Sequence, residues 1–385
     1  NETKEIYITF KYKDTTGKVP EDTILKSYLN FKMSEPNRMI LAQNVAETGK
    51  YLTSSIIKNQ IESIKFEQGR EPEYSNKIVE RFDASEKQDE SIIGYYTDEN
   101  ENGLYECTFV SQEIIYANKR AYHLFQNLIN VTNIEFCNFS TFGTTSMAGM
   151  FSGCSKIEKL DVSKFDTSVV INMQGIFYNC RALEKLDVSR WNVSNVRSMQ
   201  SIFNGCSNLI ELDVSKWDTI NVINMVHTFL DCGGLSQIDV SKWNTSKVTS
   251  MQNMFSGCSK LTELNVSSFN TSNVVNMQNM FRRCSKLIKL DVSSFDVSNV
   301  TTMANMFAEC KELTELDLIK FNTIRVSNMQ EMFAGNQKLK KIYISKYNEQ
   351  DQTGWTISNV TSSNNMFIGC NNIVGANDTI YNLNY

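Results

Sequence analysis

From about residue 121 onward the apolar positions recur with a period of 26 residues. Cys154, Cys180, Cys206, Cys232, Cys258, Cys284 and Cys310 mark the register. Asn336 takes the next place, and Cys370 follows after a unit lengthened by eight residues within 347–354. In the unit of Cys258 the other columns are Leu261, Leu264, Val266, the aromatic Phe269, Val274 and Met277. Self-similarity at a fixed period is the mark of a repeat array and outranks any local reading. Phe125, Leu128, Val131, Ile134, Phe136, Phe139 and Met147 fit the same register, so the array is expected over about 121–375.

Each unit divides into three stretches. "LDVS" alternates apolar and polar, which predicts a short strand with Leu and Val inward. "FNTSNV" predicts a turn, since Asn, Ser and Thr bond their own backbone. "NMQNMF" places apolar residues at i, i+3 and i+4, which predicts one or two turns of helix, capped by the preceding Asn or Ser and stopped near Gly153, Gly205, Gly257 and Gly335. A single unit buries too little to offset the entropy of ordering its backbone, so the units must stack.

Upstream of the array the pattern changes. Residues 1–75 predict a small α+β module: a strand at "EIYITFKY" and short helices at "TILKSYLNF" and "YLTSSIIKNQ". Residues 76–120 predict a β-hairpin, "SIIGYY" and "LYECTF", then a strand "EIIYA", capping the first unit. Residues 121–385 are the repeats with a C-terminal cap.

The charge balance narrows the partners. Among 385 residues the net charge is -5, which argues against nucleic acid, whose phosphates call for a Lys/Arg surplus. No stretch has the roughly 20 apolar residues of a membrane span. The chain begins at Asn1 without a secretory signal, and a processed mature product is one expectation.

Candidate chemistry is sparse. The cysteine spacing lacks the clustered pairs of a zinc site, and a column of equivalent positions defines no unique disulfide pairing. Each cysteine is expected to point into the core as a free, packed thiol, with disulfides or metal as the alternatives. Cys107 and Cys137, off the column, are the better disulfide candidates. "DENENG", Asp98–Gly103, matches the first half of a calcium loop, but Phe109 stands where the bidentate Glu belongs. Asn-Gly between alternating strands is also a hairpin signal. The two histidines, His123 and His227, lie far apart, and no phosphate-binding glycine motif occurs. No catalytic residue, metal or cofactor is expected. The four tryptophans fall in the aromatic column and are read as covering the core at the strand-to-turn corner, with an exposed sugar platform as the alternative.

The pattern "LDVSxWxxSxVxxMxxMFxxC" resembles the 26-residue leucine-rich-type repeats of bacterial surface proteins, the BspA-like group and the related Mycoplasma lipoprotein repeats. The segments "IESIKF", "RFDASEKQDESIIGYY" and "TDENENGLYECTF" resemble the leader of such proteins. The resemblance implies an α/β repeat: a right-handed leucine-rich-repeat-like solenoid with a parallel sheet. It implies a secreted or cell-surface anchored protein, extracellular, with adhesion to host proteins as the virulence-related role. No lipobox or sorting signal is visible, so that placement rests on the resemblance.

Binding is expected on the outward strand positions, where the sequence varies. These are Lys159, Asp161, Lys185, Asp187, Glu211, Asp213, Gln237, Asp239, Glu263, Asn265, Lys289, Asp291, Glu315 and Asp317. The expected partner is a host or extracellular matrix protein. A carbohydrate-binding module or a surface glycan hydrolase is the alternative.

Overall fold

The computed structural model describes residues 56, 58–72 and 77–373. Contacts divide the chain into two compact bodies, Asn1–Asn37 and Arg38–Tyr385, and every described residue belongs to the second. The strand expected at 5–12, the helix expected at 23–31, most of the one expected at 51–60 and the terminal cap at 374–385 lie outside the described residues.

The array is β-rich, with almost no helix. Before it lie β1 (Ile61–Gln68), β2 (Ile78–Asp83), β3 (Ile93–Thr97), β4 (Tyr105–Ser111) and β5 (Ile115–Tyr116). The repeats contribute β6 (Asn133–Glu135), β7 (Phe139–Ser140), β8 (Lys185–Leu186), β9 (Glu211–Leu212), β10 (Glu315–Leu318) and β11 (Lys341–Ile344). A mixed five-stranded sheet runs β2-β3-β4-β1-β6. Its β3 and β4 are the antiparallel arms on either side of the Asp98–Gly103 loop. Its β1 pairs in parallel with both β4 and β6, which ties the leading strands to the first repeat.

Two features of the expected unit need correction. The first is the strand. Among the described residues, consecutive "LDVS" segments pair only at Lys159/Lys185, β8/β9 and β10/β11, so the parallel sheet is a set of small pieces. The continuous ladder lies elsewhere. Single-residue parallel bridges link Arg120, Ser146, Asn172, Ser198, Asn224, Ser250, Asn276, Thr302, Asn328 and Ser362 in turn, one residue from each unit.

The second correction is the helix. The only helical element among the described residues is the 3-10 turn Lys58–Gln60. The "NMQNMF" stretch instead makes two tight turns, seen in Ile176 N–H to the Met173 carbonyl at 3.2 Å and Cys180 N–H to the Phe177 carbonyl at 3.1 Å. Each unit carries left-handed residues that a helix does not tolerate. One column is Gly175, Ser201, His227, Asn253, Asn279 and Asn305; a second, just before the cysteine, includes Gly153, Asn179, Gly205 and Gly257. These turns aim alternate N–H groups at the next unit rather than along a helix. Met147, Gly149, Phe151 and Gly153 donate to the carbonyls of Asn172, Gln174, Ile176 and Tyr178, each 25 residues on, at 2.7–3.0 Å.

Side chains repeat the same cross-linking inside. Ten phenylalanines, Phe125 through Phe333 at 26-residue steps and then Phe367, stack with centroids 5.2–6.0 Å apart. This is the spacing at which offset rings attract. The buried hydroxyls of Thr167, Thr219, Thr245 and Thr271 donate to carbonyls in the following unit at 2.8–3.0 Å. Buried polar groups are thus satisfied by neighbouring units, and one unit alone would leave them orphaned.

Candidate functional site

The cysteine column is structural. Every thiol from Cys154 to Cys310 donates to the carbonyl of the phenylalanine 29 residues earlier, at 3.0–3.2 Å. Asn336, in the cysteine register, makes the same bond through its amide, to the Phe307 carbonyl at 2.9 Å. The column therefore selects a small buried donor, and a thiol is one way to supply it. Burial pushes the thiols of Cys154, Cys206 and Cys310 up to about 12, so almost no thiolate exists near neutrality. All ten cysteines are free; Cys107 is buried and Cys137 alone is exposed. A thiol reagent is expected to find one fast group, Cys137, in native protein and ten after denaturation. A second fast native thiol, or a denatured count well below ten, would contradict this assignment.

Three of the four tryptophans are equally internal. Trp191, Trp217 and Trp243 are buried, and each indole N–H donates to a valine carbonyl of the preceding unit at 3.1–3.2 Å. These three offer no face to a sugar; Trp355, the fourth, is half-buried against the core. The Asp98–Gly103 loop folds on itself, with Asn102 N–H on Asp98 Oδ1 at 3.1 Å, and the amides of Asn100 and Asn102 hold the Glu62 carboxylate. Phe109 is buried in the core, and its phenyl ring has no oxygen to give a cation. Among the described residues no group of three His, Cys, Asp or Glu could hold a metal ion.

The outward strand positions behave differently. All fourteen candidates are exposed, alternating with buried aliphatics such as Leu160 and Val162. Ten of them, Lys159, Asp161, Lys185, Asp187, Glu211, Asp213, Gln237, Asp239, Glu263 and Asn265, line one open groove of about 1000 Å³ across five units. Its floor is the edge of the leucine column, Leu160 to Leu264, and Ile210 adds an apolar wall. Lys289, Asp291, Glu315 and Asp317 occupy the same columns further along but do not line this groove. Nothing in the sequence singles out Ile210, since its register holds Glu158, Glu184, Ser236 and Thr262 in other units but isoleucine again at Ile288, outside the groove.

Charge in the groove is one-sided: six carboxylates face two lysines, and Lys185 is already paired with Glu211 at 3.0 Å. The aspartates also build turns. Asp161, Asp187, Asp213 and Asp239 each accept both the hydroxyl and the N–H of the serine two residues on. Those bonds hold the four carboxyls below the usual aspartate range. That is the opposite of what a general acid needs. Asn265 makes the same two bonds through its amide oxygen, at 3.1 and 2.7 Å. The turn therefore does not require a negative charge, and the aspartates add charge that the fold could do without.

A tandem array of β-rich units, knit by unit-to-unit bonds and presenting one charged groove, defines a repeat protein. Four overlapping stretches, 119–238, 184–287, 228–347 and 258–380, match the family described as "Mycoplasma protein of unknown function, DUF285". The chain belongs to this bacterial repeat family. No curated protein and no solved structure matches it. Among the described residues no helix is long and apolar enough to cross a membrane.

Proposed function

We propose that this chain is a non-enzymatic binding protein of the bacterial surface or its surroundings, docking a host or extracellular matrix protein along the groove. The repeats are read as turns of a right-handed leucine-rich-repeat-like solenoid, a reading supported by the recurrence of the same bonds from each regular unit to the next, such as Met147 N–H to Asn172 and Met251 N–H to Asn276. One observation carries the binding assignment. An exposed column that varies in charge along a uniform array, Lys159, Lys185, Glu211, Gln237 and Glu263, lines the same groove as a row of carboxylates the fold does not need. Repeat arrays use such extended faces for recognition. The excess of carboxylates selects a partner presenting Lys and Arg, with an association rate that falls as salt rises.

The test is a binding panel of extracellular matrix and serum proteins, with glycans alongside, using the intact chain. At least one protein is expected to bind, and the double variant Glu211→Lys, Glu263→Lys is expected to weaken it on the order of tenfold or more, about 1.4 kcal/mol. Equal binding by the variant, glycans as the only ligands, or silence across the panel would sink the proposal.

A further inference from the structure

The unit of Cys284 departs from its neighbour at a pair of positions where the fold does not favour the change. The unit of Cys258 reads Ser256-Gly257 before its cysteine, and this one reads Arg282-Arg283. Position 283 is left-handed, with φ 61°. Gly153, Gly205, Gly257 and Gly335 hold that register in other units, and glycine takes such a conformation without the steric cost a side chain adds. Arg282 is also poorly satisfied: its Nε is buried with no hydrogen-bond partner among the described residues. The packing of the array therefore explains neither arginine.

Both guanidiniums turn to one carboxylate. Arg282 Nη2 and Arg283 Nε each donate to Glu309 Oε1 at 3.2 Å. Most of their N–H groups are left over, since a guanidinium carries five. Further cations stand at the same corner. Lys260 and Lys286 hold one register in adjacent units, which Ser285 Oγ–H ties together at the Ser259 carbonyl, 3.3 Å away. Glu312 follows in that register, bonded to Lys338 at 2.7 Å. Lys338, with Lys286 on the other side, holds its carboxyl below the usual glutamate range. Lys260, Lys286 and Lys311 are exposed and enter no ion pair among the described residues. Within two residues of the cysteine register, from Lys260 to Lys338, six cations thus meet two carboxylates, both already paired. In the units of Cys154 to Cys232 the same positions carry only Lys156, Arg181 and Asp231. The groove, with its excess of carboxylates, ends at Asn265 and includes none of these cations.

We propose that this corner, centred on Arg282 and Arg283, binds a sulfated glycosaminoglycan. Its cations recur from unit to unit, which suits a linear polyanion with regularly spaced charges. Guanidinium forks grip such oxyanions two oxygens at a time. A single-stranded nucleic acid would call in addition for aromatic platforms on which bases stack. Residues 256–260, 282–286, 308–312 and 334–338 contain no aromatic side chain. The net charge of -5 does not prevent binding, because charges beyond about 10 Å are largely screened at 0.1 M salt.

Heparin is the probe, titrated against the intact chain and immobilised for salt elution. The wild type is expected to bind it, with an affinity that falls as salt rises. The double variant Arg282→Ser, Arg283→Gly takes the residues of the Cys258 unit. It is expected to fold with an unaltered circular dichroism spectrum and to bind about tenfold more weakly, or worse. A second double variant, Lys260→Gln with Lys286→Gln at exposed positions, is expected to weaken binding as well. The groove variant Glu211→Lys, Glu263→Lys is expected to keep full heparin binding, which separates this site from the groove. A wild type that heparin does not retain at low salt overturns the proposal. So does undiminished binding by either the arginine or the lysine variant, loss of binding in the groove variant, equal binding of desulfated heparin, or tighter binding of DNA of matched length.

Discussion

Phe229→Ala is expected to cost about 3–5 kcal/mol of stability, the range for removing a buried ring that its surroundings cannot refill. Phe229 is fully buried, with Phe203 and Phe255 stacked on its two faces at 5.6 and 5.5 Å and Trp243 at 5.8 Å. Those neighbours are fixed by their own stacks and by unit-to-unit backbone bonds, so they cannot collapse into the gap. In a one-dimensional array each unit is stabilised chiefly by its nearest neighbours, so the loss falls on two interfaces at once. Urea unfolding should show a lower midpoint, together with a lower slope if the array parts at the weakened unit. A loss below about 1 kcal/mol would mean that the phenylalanine ladder is not the core of the array. Val275→Ala, on an exposed position, is the control and should stay within about 0.5 kcal/mol.

Gly234→Val is expected to destabilise by about 1–3 kcal/mol or more, through overpacking rather than a cavity. A Cβ placed on Gly234 would lie 2.5 Å from the Leu209 carbonyl oxygen, 2.8 Å from the Asn208 carbonyl carbon and 2.9 Å from the Ser207 carbonyl oxygen. All three are backbone atoms of the preceding unit, so no side-chain rotation relieves the clash. Other units carry Ala182, Asn208, Lys260 or Lys286 in this register, so the close approach is peculiar to the unit of Cys232. The variant should push two units apart locally, raising hydrogen exchange near 207–209 and 234 while distant units keep their protection. Uniform protection with unchanged stability would contradict the close contact.

Much of this could be read from the chain alone. The period placed every buried column, and alternation within "LDVS" placed Asp161 and its equivalents outside. The helix was misread because i, i+3, i+4 spacing is shared by a helix and by a pair of tight turns whose apolar residues return to the same side. The distinguishing signal lay in other columns. Gly175, Asn253, Asn279 and Asn305, with Gly153, Asn179 and Gly205, are residue types that tolerate positive φ, and their recurrence marks turns. The strand was overread because "LDVS" specifies which side is buried, not whether adjacent backbones come within bonding distance. The groove was legible only as columns. That Lys159 through Asn265 share one concavity while Lys289 through Asp317 lie outside it depends on how successive units are set against one another, which a nearly invariant repeat does not encode.

Most backbone and thiol bonds between regular units join residues 25, 26 or 29 positions apart, as in Met147 to Asn172, Ile171 to Thr145 and Cys258 to Phe229. None of them depends on how many units lie beyond its neighbour. Excising or duplicating 26 residues would return every column to register. The stretches 251–269 and 277–295, "MQNMFSGCSKLTELNVSSF" and "MQNMFRRCSKLIKLDVSSF", are already near-copies of one another. Length is thus a free parameter of the fold: the array could grow or shrink in whole units without rebuilding a core.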